Sequence, residues 1–99
     1  MVIVLFRSRL APEAGGDYAA MADEMLARAR TMPGFVDFKH FSAEDGERIS
    51  VIHWESQETL RTWAEDAQHR IAQRLGREKW YTAFRLEVAE VVRSYGFAR

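Results

Sequence analysis

Apolar positions along the chain follow two different periods. Residues 2–10, 35–42, 47–54 and 80–95 are rich in β-branched and aromatic side chains, which predicts four strands. Between them lie two segments whose apolar residues recur every three to four positions, which predicts helices. The predicted order of elements is therefore strand, helix, strand, strand, helix, strand.

Each predicted helix has one apolar stripe and a recognisable end. The first ends before Met32-Pro33-Gly34, because proline cannot continue a helix, and its stripe consists of Tyr18, Met21, Ala22, Met25, Leu26 and Ala29. The second begins after the N-cap residue Ser56, and its stripe consists of Leu60, Trp63, Ala64 and Ala67. Ile71 and Leu75 extend this second stripe, with a break expected near His69.

The second and third strands are joined by Ala43-Glu44-Asp45-Gly46, in which Asp-Gly is a strong hairpin signal. This hairpin completes a ferredoxin-like βαββαβ arrangement of the α+β class, with an antiparallel four-stranded sheet and both helices on one face. A chain of this length holds one core, so a single domain is predicted over residues 1–99.

The first strand is apolar on both faces, since Ile3 and Leu5 alternate with Val2, Val4 and Phe6. Two helices cover only one face, so the other requires a cover from a second subunit. The last predicted strand, with a bulge at 91–92, is about sixteen residues or roughly 50 Å long, so its end should overhang onto that partner. A homodimer is therefore expected.

Composition narrows the class of protein. The chain is 47% hydrophobic and 29% charged with a formal net charge of -1, so nucleic acid is not an expected partner. No apolar run is long enough for a membrane span, and no membrane partner is expected. The absence of cysteine excludes a disulfide, a thiolate nucleophile and a Cys-ligated metal, and a cytoplasmic location is expected.

All three tryptophans, two of the three histidines and one tyrosine lie within residues 50–81. Such amphipathic side chains build pockets, so one is predicted between sheet and helices, walled by Trp54, Trp80 and Tyr81 with His69 at its mouth. Because successive strand residues face opposite sides, at most one of Trp80 and Tyr81 is expected to form a direct wall unless a bulge intervenes, and Tyr81 is preferred.

The candidate chemistry centres on His69, whose imidazole titrates near neutral pH and can act as a general base. Gln73, one turn later, is placed to fix its tautomer. Arg77 and Tyr81 can hydrogen-bond an oxyanion, and Trp54 and Trp80 can stack on a planar ring. Simpler alternatives are tryptophans that fill the core, an exposed helix histidine, and an arginine stripe on a solvated helix face.

His40 and His53 lie on predicted strands, and the sequence does not decide which faces they occupy. Together with His69 they could form a three-histidine metal site. Nothing in their spacing demands one, and no metal is expected.

The motifs form an ordered series: Met32-Pro33-Gly34-Phe35, Trp54-Glu55-Ser56, Trp63, His69, Gln73, Gly76-Arg77, Trp80-Tyr81 and Tyr95-Gly96-Phe97. This series resembles the antibiotic biosynthesis monooxygenase domain family, and in particular a bacterial branch with a W-E-S, H-x3-Q-x2-G-R-x2-W-Y pattern. The resemblance implies a homodimeric α+β barrel in which two sheets pack face to face and each subunit holds a pocket.

The resemblance also implies activities. Some relatives oxygenate phenolic, anthrone-like or quinol substrates with O2 and without metal or flavin, and a separate branch degrades haem. The haem-degrading branch has an asparagine on the first strand, a tryptophan ending the third and a histidine ligand late in the second helical region. Only the tryptophan is matched, by Trp54, whereas Ser8 and Gln73 occupy the other positions, and the chain contains no asparagine at all.

The leading hypothesis is thus a cofactor-independent monooxygenase acting on an aromatic, phenolic or quinol-type small molecule. Its predicted catalytic residues are His69, Tyr81 and Trp54, and its predicted substrate-binding residues are Arg77, Gln73, Ser8 and Trp80. The alternatives are a non-catalytic module that binds or senses a small apolar ligand on the same barrel and, less favoured, haem binding or degradation.

Overall fold

A computed structural model of the chain describes the backbone of residues 1–99 and every side chain except those of residues 67 and 68. Over this backbone the elements are β1 Val2–Leu10, α1 Gly16–Ala29, β2 Phe35–Ser42, β3 Arg48–Trp54, α2 Gln57–Glu65, α3 Ala67–Leu75 and β4 Tyr81–Glu90. A π-helical segment, Gly76–Trp80, joins α3 to β4. The predicted ferredoxin-like order is confirmed, with the second helical region divided into α2 and α3.

The four strands form one antiparallel sheet in the order β2-β3-β1-β4. The register places Phe6 opposite Ser50, and Ser50 opposite His40, on the face that carries the helices. His53 lies opposite Ile3 on the outer face. The pairing therefore separates the two strand histidines, which the sequence alone had left undecided.

The last strand is shorter than predicted. It ends at Glu90 rather than Tyr95, and residues 91–99 contain no regular element in the described backbone. The reason is that β4 pairs only with β1, and Glu90 already lies opposite Val2 at the beginning of that strand. The predicted bulge at 91–92 is also wrong, because the register shift lies between Arg9 and Leu10.

The break in the second helical region lies at Asp66, three residues before His69 and therefore close to the predicted position. Asp66 has an extended backbone with ψ 133°, and its carboxylate accepts two hydrogen bonds of 2.9 and 2.7 Å from Arg28 of α1. Ser56 caps α2 through a capping box with Thr59, as its residue type predicts. The predicted stripe residue at position 67 lies outside the described side chains.

The buried core lies at one end of the layer between sheet and helices. It consists of Val2, Val4, Ala29, Trp54 and Trp63, with Met25, Met32, Phe35, Ile52 and Leu60 packed around it. Val2 and Trp54 are register partners where β1 begins and β3 ends. The packed core therefore leaves the opposite end of the same layer less filled. In the described part of the chain, no helix is long and apolar enough to cross a bilayer.

Gly34 is a position where only glycine fits. Its φ is +86°, a left-handed conformation, and a Cβ atom there would overlap the Thr59 side chain. Replacing Gly34 with alanine is expected to lower the free energy of unfolding by about 2–4 kcal/mol, through backbone strain and steric overlap. Urea denaturation followed by circular dichroism measures this loss.

Gly46→Ala is the matched control, because Gly46 has φ +91° but nothing within 4 Å of the added Cβ. It carries the same kind of backbone strain without the overlap, so a loss of about 1 kcal/mol is expected. Equal losses in the two variants would show that the contact with Thr59 costs nothing.

Candidate active site

A cavity of about 670 Å³ lies between the helix-bearing face of the sheet and the helices. Most of its wall is apolar or aromatic, including Phe6, Met21, Met25, Phe38, Ile52 and Leu86. A minority of polar side chains also reaches it: Tyr18, Asp23, His40, Arg48, Ser50, His69, Gln73, Arg77 and Tyr81. Such a lining, apolar with a few polar groups, is typical of small-molecule sites.

The cavity is open along β4. Phe84, Leu86 and Val88 line it, yet these side chains are 43%, 48% and 42% exposed. Single exposed apolar residues are common on protein surfaces, but three successive residues of one strand face form a continuous patch. The cavity is therefore accessible to solvent along β4.

Trp54 lies at the closed end. Its side chain is 1% exposed, with ring centroids 5.6 Å from Phe35 in an edge-to-face contact and 6.0 Å from Trp63 in a stacked contact. Trp54 packs against Phe35 and Trp63 of the core and also lines the cavity, and its stacking on a planar substrate stays a prediction. It forms the inner wall of the cavity.

Trp80 belongs to the π-helical segment and not to the last strand. It is 5% exposed, its ring lies 5.6 Å edge-on from Tyr18, and its indole Nε1–H donates to Asp17 Oδ2 at 3.2 Å. The same Asp17 oxygen pairs with Lys79 at 2.6 Å. These contacts attach the π-helical segment to the first turn of α1.

Tyr81 begins β4 and lines the cavity together with Trp80. The expectation that only one of these two residues forms a wall is therefore wrong, since strand alternation does not apply across the end of a π-helical segment. The Tyr81 ring lies 5.6 Å from that of Phe6 and 5.8 Å from that of Tyr18. Burial, and then hydrogen bonding with Tyr18, raises the pKa of Tyr81 well above its usual value, so its hydroxyl stays protonated.

The approach of Tyr81 depends on Gly76 at the beginning of the π-helical segment. A Cβ atom on Gly76 would lie 2.8 Å from Tyr81 Cε2. The glycine therefore makes room for the aromatic ring against the backbone.

His69 is half-buried on α3, with its ring centroid 4.2 Å from that of Trp63. Its Nδ1 atom is buried and has no hydrogen-bond partner among the described side chains. Burial lowers the pKa of His69, and the negative charge of Asp66 opposes this only in part. The imidazole is therefore neutral at neutral pH.

Gln73 and Arg77 also line the cavity, and both side chains are exposed. No hydrogen bond joins Gln73 to His69 among the described side chains, so the expected support for the histidine tautomer is absent from these contacts. The Arg77 guanidinium lies 5.7 Å from the ring centroid of Phe84, beside the opening.

Ser8 is the exception among the predicted site residues. The other six line the cavity, whereas Ser8 is 4% exposed on the helix face of β1 and is not part of the wall. It lies opposite Arg48 in the sheet register.

At the end of the cavity opposite Trp54, sequence reasoning missed Arg48 and Ser50 and left the face of His40 undecided. His40 Nδ1 lies 3.3 Å from Ser50 Oγ, and the Arg48 guanidinium lies 5.5 Å from the ring centroid of Tyr18. Burial and the charge of Arg48 both lower the pKa of His40. Alternation along β3 could have revealed them. Arg48 and Ser50 are separated from Trp54 by an even number of residues, so their side chains lie on the same face of the strand as Trp54.

Among the described side chains, no three histidines, aspartates or glutamates lie close enough together to hold a metal ion. His40 and His69 line the cavity, but His53 is on the other face of the sheet. The three histidines therefore do not form a common site in this structure.

A ferredoxin-like α+β domain with an aromatic cavity between sheet and helices is the architecture of a known class of small proteins. Residues 1–75 match the model of the antibiotic biosynthesis monooxygenase family. The chain belongs to this family, which confirms the resemblance predicted from its motifs.

Individual relatives agree with this assignment. The uncharacterized protein YqjZ of Bacillus subtilis (strain 168) is 32% identical over 76 residues, which cover 77% of this chain and 67% of that protein. Rv0793 from Mycobacterium tuberculosis has a TM-score of 0.82 at 18% identity, covering 96% of this chain and 98% of its own. SnoaB from Streptomyces nogalater, a cofactor-independent oxygenase, has a TM-score of 0.77 at 13% identity, covering 94% of each chain. The two structural likenesses show a shared fold.

Proposed function

We propose that the protein is a cofactor-independent monooxygenase that oxidises an aromatic, phenolic or quinol-type small molecule with O2. The observation that carries the proposal is the aromatic cavity of about 670 Å³, in which the buried Nδ1 of His69 has no partner among the described side chains. Membership of the antibiotic biosynthesis monooxygenase family and the fold shared with the oxygenase SnoaB support it.

The chemistry needs a base, a donor and a dry cavity. The neutral His69 imidazole accepts the hydroxyl proton of the bound substrate, and the resulting anion is electron-rich enough to reduce O2. For an anthrone-type substrate, the two C–H bonds of the reacting CH2 group supply all four electrons. One oxygen atom becomes the product carbonyl and the other leaves as water, so no further reductant is needed.

Two features of the wall suit this reaction. The Tyr81 hydroxyl stays protonated, so it can donate a hydrogen bond to an oxyanion on the substrate. The apolar side chains of Phe6, Phe38 and Ile52 exclude water from the reacting anion. The protein thus provides proton transfer and a protected site, while the substrate provides the electrons.

O2 uptake with a panel of anthrones and hydroquinones tests the proposal. One O2 consumed per carbonyl product, unchanged by a metal chelator, supports a cofactor-independent oxygenase. Saturable quenching of tryptophan fluorescence without O2 uptake would favour the alternative, a module that binds or senses a ligand in the same cavity.

A homodimer is proposed as the working form. The outer face of the sheet presents Ile3, Leu5, Ile49 and Val51, none of them fully buried within one chain. In residues 91–99, Val92, Tyr95 and Phe97 are 96%, 90% and 85% exposed. Large apolar side chains at such exposure favour burial against a second copy.

Sedimentation at micromolar concentration is expected to give twice the chain mass of 11.5 kDa. Removing residues 91–99 leaves the β1–β4 pairing intact and is expected to weaken association at least tenfold and to lower the melting temperature. A full-length chain that sediments as a stable monomer would contradict the proposal.

A further inference from the structure

Arg48 differs from three other arginines of the sheet and helices in its charge partners. Arg7, Arg9 and Arg28 each pair with a carboxylate of the chain, at 2.9, 2.7 and 2.7 Å. Arg48 lines the cavity, and none of the ion pairs among the described side chains includes it. Arg48 therefore brings a permanent positive charge to a wall that also carries the carboxylate of Asp23, and among the described side chains the two form no ion pair.

Part of this guanidinium is already out of contact with water. Arg48 Nε is buried and has no hydrogen-bond partner among the described side chains. A buried donor without an acceptor costs free energy, and a ligand that supplies an acceptor removes that cost. The unpaired donor therefore points to a group that the chain does not supply.

The neighbours of Arg48 are neutral groups. The Tyr18 ring lies 5.5 Å from its guanidinium carbon, within the range of a cation–π contact that fixes the side chain. The charge of Arg48 lowers the pKa values of both His40 and Tyr81, which places these two groups near it. His40 in turn contacts the Ser50 hydroxyl at 3.3 Å. This end of the cavity thus combines one cation with several neutral hydrogen-bonding groups, which suits an anion.

The Arg48 end is distinct from the site assigned to proton transfer. His69 packs on Trp63, and Trp63 stacks on Trp54 at the other end of β3. Arg48 precedes Trp54 by six residues, which corresponds to roughly 20 Å along an extended strand. A ligand that contacts both groups would therefore extend along β3 from the Arg48 end of the cavity toward the Trp54 end.

We propose that the substrate is an elongated aromatic acid whose carboxylate binds Arg48 while its ionisable hydroxyl lies toward His69. The inference rests on the proposed oxygenase function, which it extends to a substrate class. Two guanidinium N–H groups of Arg48 donate to the carboxylate, and the aromatic rings occupy the apolar middle of the cavity.

The test measures binding in the absence of turnover. Tryptophan fluorescence is titrated with anthracene-2-carboxylate and with its neutral isostere anthracene-2-carboxamide. The wild-type protein is expected to bind the carboxylate at least about tenfold more tightly. Arg48→Met should remove this preference and leave carboxamide affinity within about twofold, and Arg48→Lys should retain only part of it.

Arg61→Met is the matched control, since Arg61 is exposed on α2 and does not line the cavity. It should leave both affinities unchanged. Circular dichroism checks that each variant is folded, and Arg48→Gln replaces Arg48→Met if the latter is not. Equal weakening of both ligands by the Arg48 variants would assign Arg48 to packing alone, and no weakening of either would exclude it from the site. Both results overturn the inference.

The outcome is separable from that of the oxygenase proposal. A carboxylate preference that depends on Arg48, without O2 uptake, would support the anion site and contradict catalysis. Turnover of a neutral anthrone at the same rate in wild type and Arg48→Met, together with no carboxylate preference, would support catalysis and overturn the anion site.

Discussion

Replacing Trp54 with alanine is expected to lower the free energy of unfolding by about 3–5 kcal/mol. The indole is 1% exposed and is held between Phe35 on β2 and Trp63 on α2. These neighbours belong to different elements, so they cannot close the space without moving the sheet and helix together. Because small domains are stable by only about 5–15 kcal/mol, urea denaturation should show a large fall in the midpoint.

Trp54→Phe is the informative comparison, because it keeps an aromatic ring in contact with the same neighbours and should cost less than the alanine variant. Arg61→Ala, at an exposed position on α2, should stay within about 0.5 kcal/mol of the wild-type protein. A loss below about 1 kcal/mol in Trp54→Ala would mean that this side chain is not part of the core.

Replacing His69 with glutamine is expected to lower kcat by about 10²–10⁴-fold and to change KM little. Glutamine fills much of the same space but does not act as a base near neutral pH. Under the proposed mechanism the effect falls on kcat, because the imidazole takes up the proton during the reaction, whereas the apolar wall contributes much of the binding. Steady-state O2 uptake on a substrate found in the panel measures both constants.

Arg70→Gln is the matched control, since Arg70 is exposed on the same helix and lies outside the cavity wall. Its kcat should stay close to the wild-type value. An equal loss in the two variants would indicate damage to α3 rather than removal of a base.

The dependence of the rate on pH gives a second test of His69 as the base. Burial holds the folded-state pKa below the usual 6.5, so the rate should fall only when the pH drops below 6.5. In the same window the unfolded chain binds the proton more readily than the folded protein, and the free energy of unfolding should decrease as the pH falls. This decrease should be smaller in His69→Gln. An acid limb centred above pH 6.5 would contradict the assignment.

Local signals were enough to predict most of the elements. The Asp45-Gly46 hairpin has the left-handed glycine that such a turn needs, and Ser56 caps α2 as its residue type suggests. The length of β4 was not predictable in this way, because a strand extends only as far as its neighbour and β1 begins at Val2. The π-helical segment is also invisible to a search for 3.6-residue periodicity.

The residues of the candidate site also differ in how far the sequence could predict them. Residue type and spacing were enough to place His69, Gln73, Arg77 and Tyr81 on the cavity wall. Arg48 was not placed, although alternation along β3 puts it on the same face as Trp54. Only the register of β3 with its neighbours decides which side chains meet across the sheet.

The ion pair of Asp17 with Lys79 determines which solution condition loosens one wall of the cavity. Hydrogen bonds from Lys79, and next from Trp80, lower the pKa of Asp17 to about 2. The carboxylate therefore stays charged across the pH range of any ordinary assay, and acid will not release the π-helical segment from α1. Both partners are exposed, however, and mobile ions screen exposed charges within about 10 Å at 0.1 M ionic strength. Raising the salt concentration, rather than lowering the pH, is thus the change that weakens the Lys79 pair, while Trp80 keeps its hydrogen bond to Asp17 and its contact with Tyr18.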